Sequence, residues 1–205
     1  MVKAKIDQSA EQKILAAAKN VFLTRGMMGA RMQDIADEAG INKALLHYYF
    51  RSKDKLFEVV FLEEAQKFFP KINAIFNSDA PLFEKIRNFV NEYIDEMQEN
   101  PYLPWFVMNE LHRDADQFMY KIWGNDNLPK PGKFLVQIEQ EIRSGRIKKI
   151  SPVHLLMNMI SLTIFPFVGK PMFIRNLRLT EKQFGEIMAQ RKKEIPKFII
   201  DAIKK

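Results

Sequence analysis

The sequence predicts an all-α protein with a small N-terminal head and a larger helical body. Apolar residues recur with helical spacing along most of the chain, and no convincing run alternates with the period of two typical of a strand. Residues 1–55 hold ten Lys and Arg against six Asp and Glu, a net charge of +4 within a total of +7. Fifteen of the seventeen Phe and both Trp follow residue 55. We therefore predict two domains, over residues 1–55 and 56–205.

The composition excludes several classes of protein. The chain has 47% hydrophobic and 28% charged residues, which excludes global disorder. It has no Cys, which excludes disulfide scaffolds, Cys-ligated metal sites and thiol catalysis and fits a reducing compartment. The positive net charge hints at a polyanionic partner without identifying one.

The first helix is predicted from a cap, a stripe and a breaker. Ser9 and Gln12 have the spacing of a capping box, and Gly26 is a suitable residue to end the helix. Between them lies an apolar stripe with helical spacing, formed by Ile14, Leu15, Ala18, Val21 and Phe22.

Pro and Gly residues divide the body into further predicted helices. One runs from Lys53 to about Phe69, where Pro70 is expected to interrupt it. The others are expected after residues 79–81 up to residues 100–101, from residue 104 to about residue 112, over residues 133–144 and over residues 152–165. Residues 124–132 are predicted to form a loop. Thr180 and Gln183 form a second capping box at the start of the last helix, which Pro196 is expected to kink.

The most apolar stretch is residues 151–168. It carries His154, Asn158 and Ser161, breaks at Pro166, and is shorter than the roughly 20 apolar residues of a membrane span. We expect a buried or interface helix here and no membrane association. The first residues contain no apolar h-region, so we expect no secretory signal and a cytoplasmic protein.

Residues 31–55 have the pattern of a helix-turn-helix. Apolar residues give the first helix one buried face, and Gly40 falls where a tight turn between helices requires positive φ. Asn42 is a strong N-cap for a short second helix, whose inner side is predicted to be Leu46 and Phe50. The other face is small, polar and aromatic, which suits a helix lying in a DNA major groove.

This segment resembles the TetR (tetracycline-repressor-like) family of transcriptional regulators. The resemblance is specific from about Ala10 to Leu62 and weak beyond. The matching positions are Ile14–Phe22, Gly26, Met32, Asp34, Ile35, Ala36, Ala39, Gly40, Ile41, Lys43, Leu46, Tyr49, Phe50, Ser52, Lys53 and Leu56. The resemblance implies a three-helix DNA-binding head, a linking fourth helix, and a variable helical body that binds a small ligand and dimerises.

Two features of this segment depart from the family pattern. Ala30 and Arg31 stand where the family usually has a hydroxyl that caps the second helix and touches phosphate, and we expect Arg31 to supply the DNA contact instead. His47 stands where Tyr is commoner. These departures put the transfer of any particular operator sequence in doubt.

We predict a DNA-contacting set on the head. Lys43 is the best candidate for a base contact, to guanine O6 and N7 or otherwise to phosphate. Lys53, in the first turn of the linking helix, suits a phosphate. The full set is Arg31, Lys43, Ala44, Leu45, His47, Tyr48, Tyr49 and Lys53. The alternative is that the cations are ordinary solvated side chains.

The body carries many large aromatic residues, which we interpret as the lining of an apolar pocket for a small molecule. The candidate lining is Phe61, Phe68, Trp105, Phe106, Asn109, His112, Phe118, Trp123 and Phe165. The alternative for each aromatic residue is plain core packing. We expect a ligand to release DNA by favouring a state whose two heads do not match the groove spacing.

A homodimer interface is expected on the helices over residues 133–144 and 152–165. The second of these is apolar nearly all round and must be covered on all sides. The candidate residues are Phe134, Leu135, Ile138, Ile142, Leu155, Leu156, Met159 and Ile160. Two such helices from each subunit would form a four-helix interface, and a two-fold dimer would read a palindromic operator.

Catalytic and metal-binding motifs are lacking. The sequence has no GxxxxGK[ST] loop, no HExxH pair and no GxSxG elbow, so we predict a protein that is not an enzyme and uses no cofactor or metal. Glu110, His112, Asp114 and Asp116 have a spacing of two, which spreads them around a helix. The remaining alternative is a helical small-molecule-binding or interaction protein whose basic head binds another acidic partner.

Overall fold

The computed structural model describes residues 8–123 and 132–205, with the side chains of Gln8 and Ser9 excepted. The predicted cap at Ser9 and residues 124–131 of the predicted loop lie outside the described residues. Over these two ranges the chain forms ten α-helices and no β-strand, which confirms the all-α prediction. The helices are α1 Gln8–Gly29, α2 Met32–Glu38, α3 Lys43–Tyr49, α4 Lys53–Asn77, α5 Leu82–Glu99, α6 Leu103–Trp123, α7 Gly132–Arg143, α8 Pro152–Val168, α9 Lys170–Leu177 and α10 Glu181–Ile203.

The chain divides into two compact units. The first ends at Ala65 and the second runs from Gln66 to Lys205, so α4 contributes residues to both. The first turns of α4 belong with the head because Phe57 packs edge-on against Phe22 of α1, with ring centroids 5.0 Å apart. Lys19 of α1 also pairs with Glu64 of α4 at 2.9 Å. The functional division at residue 55 stays a prediction.

The first unit has a small apolar core shared by α1 to α4. Its fully buried side chains follow the predicted stripe of α1 and the inner faces of the next helices: Ile14, Ala18, Phe22, Ile35, Ala36, Leu46, Leu56, Phe61 and Ala65. Gly26 adopts φ 69° within α1, as the sequence predicts for a residue at which the regular helix ends. Ala30 N–H then donates to the Gly26 carbonyl, which turns the chain toward α2.

The second unit is organised around α5, which packs against α7, α8 and α10. Its inward face buries Ile86, Phe89, Val90 and Ile94. The predicted capping box of α10 is present: Gln183 N–H donates to Thr180 Oγ1 at 3.2 Å, and Thr180 N–H donates to Gln183 Oε1 at 2.8 Å. α5 also ends as predicted, at the C-cap Asn100.

Three predicted helix limits are wrong. Pro70 does not interrupt α4, which continues to Asn77, and Pro166 does not end α8, which continues to Val168. Beyond Pro70, α4 buries Ile72 and Phe76, and this packing outweighs the missing backbone donor. α6 likewise continues past residue 112 to Trp123.

Two backbone features separate helical segments in the second unit. Asp114 is extended within α6, and its Oδ1 accepts from Gln117 N–H at 2.9 Å, so it caps the second segment of that helix. α9, which was not predicted, follows α8 after Gly169 with a bend of 66°. No single helix within the described ranges is both long and apolar enough to cross a membrane; the bent pair of α8 and α9 passes that test by length and composition only.

Candidate nucleic-acid interface

The turn between α2 and α3 has the geometry that the sequence predicts. Gly40 adopts φ 66°, a left-handed conformation that strains any residue with a Cβ. Ile41 N–H donates to the Ala36 carbonyl at 3.0 Å, and Leu45 N–H donates to Asn42 Oδ1 at 2.8 Å. These bonds end α2 and begin α3, so local hydrogen bonds set the turn between the two helices.

Asp34 accepts a hydrogen bond from the backbone at the start of α2, where the hydroxyl usual in the family is missing. Its carboxylate accepts from Arg31 N–H at 3.1 Å and pairs with Arg25 of α1 at 2.7 Å. The guanidinium of Arg31, which can only donate, is left exposed at the helix start. The sequence contained this signal, because an acidic residue three positions after a cap is where a capping-box partner stands.

α3 presents one buried and one exposed face. Leu46 is fully buried and Phe50, at the C-cap, is nearly so, which confirms the predicted inner side. Five of the predicted DNA-contacting residues lie together on the exposed face: Lys43, Ala44, Leu45, His47 and Tyr48. Tyr48 is 76% exposed and meets the half-buried Tyr49 edge-on, with ring centroids 5.6 Å apart. The exposed face therefore offers a cation, small or apolar groups and aromatic donors along one short helix.

Lys53 fixes the start of α2 to the start of α4. Its Nζ donates to the Ala30 carbonyl at 3.0 Å, and the side chain is half-buried. Ser52 caps α4, since its Oγ accepts from Lys55 N–H at 3.1 Å. Lys53 thus has a structural contact that the sequence did not reveal, while an ammonium group has three donors and retains capacity for a phosphate.

The structure separates the predicted ligand-lining residues into two groups. Phe68, Phe106, Phe118 and Trp123 are buried in the second unit, and Phe61 is buried in the first, where it packs against Phe22 and Phe57. Within the buried group, the rings of Phe106 and Phe118 lie 6.1 Å apart in an edge-on contact, as aromatic core residues do.

The other predicted lining residues are exposed. Trp105 and Phe165 each have 54% of their surface accessible, and Asn109 and His112 are exposed on α6. The ring Nδ1 of His112 lies 2.7 Å from the Met108 carbonyl oxygen, one turn earlier on the same helix. The structure does not bring these four residues together with the buried aromatic group.

The predicted dimer-interface residues also fall into two groups. Phe134, Ile138, Leu155 and Met159 are buried within this chain, where Phe134 packs against Phe76 with ring centroids 4.8 Å apart. Leu135, Ile142 and Leu156 are half-buried, and Ile160 is exposed. Of the eight residues, Ile160 therefore offers the most surface to a partner.

Part of the outward face of α8 is apolar and lies beside the exposed polar residues His154, Asn158 and Ser161, a division that the sequence did not resolve. Val153, Met157, Ile160 and Val168 are all exposed, and they recur with helical spacing together with the half-buried Ile164. We call these five residues the α8 outer stripe. An apolar face of this length on a helix that is also apolar on its inner side requires cover.

Across the two described ranges, no group of three His, Asp or Glu side chains is placed to hold a metal ion. Glu110, one of the acidic residues with metal-like spacing, is buried on α6. Its carboxylate pairs with Arg113 at 2.6 Å and with Lys121 at 3.7 Å.

Comparison with known proteins connects this head to bacterial regulators. Residues 14–60 match the family model described as bacterial regulatory proteins, tetR family. The matched span runs from within α1 to the first turns of α4 and includes the whole of the α3 face described above.

Two curated proteins and one solved structure extend the likeness. The transcriptional regulator RutR of Escherichia coli K12 is 28% identical over 149 residues, which cover 72% of this chain and 69% of RutR. The negative transcriptional regulator IcaR of Staphylococcus aureus strain Newman is 27% identical over 118 residues, covering 56% of this chain and 60% of IcaR. The crystal structure of FadR from Bacillus subtilis in complex with stearoyl-CoA superposes with a TM-score of 0.61 at 13% identity, over 94% of this chain and 98% of FadR, and so shares the fold.

Proposed function

We propose that this chain, a DNA-binding transcriptional regulator of the TetR family of bacterial regulatory proteins, represses its target as a homodimer. The homodimer binds a palindromic operator. A small, largely apolar molecule releases it from the DNA. The protein acts in the cytoplasm by binding and not by catalysis. The family assignment supplies the class of activity, and the operator, the dimer and the effector are the proposed parts.

The observation that carries the proposal is the division of α3 into two faces. Leu46 and Phe50 hold the helix on the core, and Lys43, Ala44, Leu45, His47 and Tyr48 point outward from it. A single helix fits the major groove, where Lys43 can reach guanine O6 and N7 and Ala44 or Leu45 can approach a thymine methyl group. We expect His47 and Tyr48 to donate to phosphates.

Phosphate contacts at the ends of two other helices would orient α3. Arg31 is exposed at the start of α2, and Lys53 stands at the start of α4, where the first backbone amides also favour an anion. The Lys53 contact with the Ala30 carbonyl keeps these two helix ends together. The proposal therefore has base contacts from α3 and positioning contacts from Arg31 and Lys53.

The α8 outer stripe supports the homodimer. Two copies of the stripe, related by a two-fold axis, would cover each other and place two heads on one operator. Four residues predicted for the interface would support it indirectly, because they are buried within the chain and hold α7 and α8 in place: Phe134, Ile138, Leu155 and Met159.

The effector is proposed on the family's mode of action and on the shared fold with FadR, whose structure contains stearoyl-CoA. A ligand releases DNA only if it binds one conformation of the protein more tightly than the other. The aromatic-rich second unit is where we expect it to bind.

A DNA-binding titration tests this function directly. Gel shift with palindromic DNA from upstream of the protein's own gene is expected to show a complex with two chains per duplex, and its affinity should fall steeply with salt. Absence of binding at low salt would contradict the proposal. It would favour the alternative, in which the basic head binds another acidic partner.

A further inference from the structure

Pro166 leaves one backbone carbonyl of α8 without its usual partner. In an α-helix the N–H of residue 166 would donate to the carbonyl of Leu162, and a proline has no N–H to donate. Arg191 of α10 supplies the missing donor, because its Nη2 donates to the Leu162 carbonyl oxygen at 2.7 Å. A guanidinium is therefore held against the middle of α8 by a contact between two helices.

Arg191 is also one of the residues that line a pocket. The pocket lies between α8, α9 and α10, has a volume of about 320 Å³, and is walled mainly by Phe165, Pro166, Phe173, Phe184 and Met188. The Nε of Arg191 is buried from solvent, and no acceptor for it occurs in the part of the chain that the structure describes. A buried donor without an acceptor costs free energy, so a ligand that brings an acceptor to Nε would gain binding free energy there.

We propose that this pocket binds a small carboxylic acid with an apolar body, with its carboxylate on Arg191 and its body against the aromatic wall. A guanidinium offers two parallel N–H donors to a carboxylate, and Nε–H is one of the donors that such a pair uses. The pocket is distinct from the aromatic pocket expected from the sequence, with which it shares only Phe165 among its lining residues.

The charges around the pocket favour an anion over a cation. No Asp or Glu is among its lining residues. At its edge, Lys170 lies 5.4 Å from the centroid of the Phe184 ring and pairs with Glu181 at 2.6 Å, so these two charges offset each other. Burial lowers the pKa of Arg191, which is the direction expected for a cation that lacks a counter-ion.

The site also offers a route to regulation. A carboxylate on Arg191 would compete with the Leu162 carbonyl for the same guanidinium, and α8 carries the α8 outer stripe on its other face. The idea that this pocket is the effector site of a repressor rests on the proposed function. The idea that it binds a carboxylate does not depend on that function.

Isothermal titration of the full chain with decanoate and with decan-1-ol tests the pocket without DNA. We expect one decanoate per chain and binding of decan-1-ol at least about tenfold weaker, because the alcohol lacks the charge that the guanidinium pairs with. Equal affinity for the two probes, or no binding of decanoate, would overturn the proposal.

Variants of Arg191 test the residue. Arg191→Gln is expected to weaken the binding of decanoate at least about tenfold. The control is Arg175→Gln, which removes an arginine of α9 outside the pocket lining and should leave decanoate affinity unchanged. Because Arg191→Gln also removes the donor to Leu162, the same change is made together with Pro166→Ala. The alanine restores the backbone N–H of residue 166, so the double variant keeps the Leu162 carbonyl satisfied. Because Pro166 is itself part of the pocket wall, the reference for the double variant is Pro166→Ala alone, and the double variant should bind decanoate at least about tenfold more weakly than that reference.

Two further results would decide against the pocket. Unchanged decanoate affinity in the double variant would remove Arg191 from the site. Binding seen only in a monomeric variant such as Met157→Glu would mean that a second copy of the chain fills the pocket. DNA release by decanoate is measured separately. A chain that binds decanoate but not DNA would support the pocket and contradict the proposed function.

Discussion

α3 and α8 each have an inner face buried in their own unit and an outer face exposed to solvent, and they differ in what the outer face is made of. α3 has Lys43, His47 and Tyr48 outside, whereas α8 has Val153, Met157 and Ile160 outside. A polar and cationic surface is suited to phosphates and base edges, and an apolar stripe is suited to another protein surface. In both helices, the composition of the exposed face indicates which class of molecule the helix binds. The buried face only holds the helix against its own unit.

The two faces of α3 can be separated by the same substitution at adjacent positions. Leu46→Ala should lower the free energy of unfolding by about 2–5 kcal/mol, because it leaves a cavity in the small core of the head. Leu45→Ala, on the outer face, should change stability by less than about 0.5 kcal/mol and affect DNA binding alone. Thermal and denaturant unfolding of both variants measures the contrast, and equal losses of stability would contradict the two-faced account of α3.

The outer face of α8 is tested by placing a charge on it. Met157, 59% exposed, lies in the middle of the α8 outer stripe, and Met157→Glu should weaken dimerisation about a hundredfold, since an unpaired carboxylate in an apolar interface is costly. Sedimentation equilibrium reports the change. Asn88→Glu, an exposed substitution on α5, serves as the control, and a dimer that survives Met157→Glu intact would place the interface elsewhere.

Removal of the cation from α3 tests the base contact. Lys43→Ala should cost about 1–3 kcal/mol on the specific operator and much less on unrelated DNA, since a base contact contributes to discrimination. Fluorescence anisotropy with both duplexes separates the two effects. Lys13→Ala removes an exposed lysine of α1 as the matched control, and an equal loss on both duplexes would make Lys43 a phosphate contact.

The smallest effect is expected at the start of α4. Lys53→Ala should weaken binding to all sequences and reduce the slope of log K against log salt by about 0.9, the value for one phosphate contact. An unchanged slope would leave Lys53 with the Ala30 carbonyl as its only role. Circular dichroism of the variant shows whether loss of that contact disturbs the head.

The sequence predicted the turn and the helix caps well because their signals are local. The turn at Gly40, the cap at Asn42 and the capping box at Thr180 each involve residues within three or four positions of one another, and all three are present. Local signals in the sequence did not show which aromatic residues would be buried and which exposed. Phe165 and Phe118 have similar side chains, and only packing leaves one exposed and buries the other.

The prolines show where local signals fail. Pro70 and Pro166 are helix breakers by their chemistry, and each is retained inside a helix by contacts made at a distance along the chain. The carbonyl that Pro166 leaves without a donor is satisfied by Arg191, which lies 29 residues away in sequence. No spacing rule connects these two residues, so the pocket beside Arg191 could be found only in the structure.

The most direct test of the central account measures DNA affinity against the spacing of the two half-sites. Anisotropy titrations would compare the palindrome with a duplex that carries about five extra base pairs at its centre, which is half a helical turn. If α3 reads the major groove and the α8 outer stripe joins two chains, the insertion should weaken binding at least about tenfold, because the two heads then face opposite sides of the DNA. Equal affinity for the two duplexes would contradict the account.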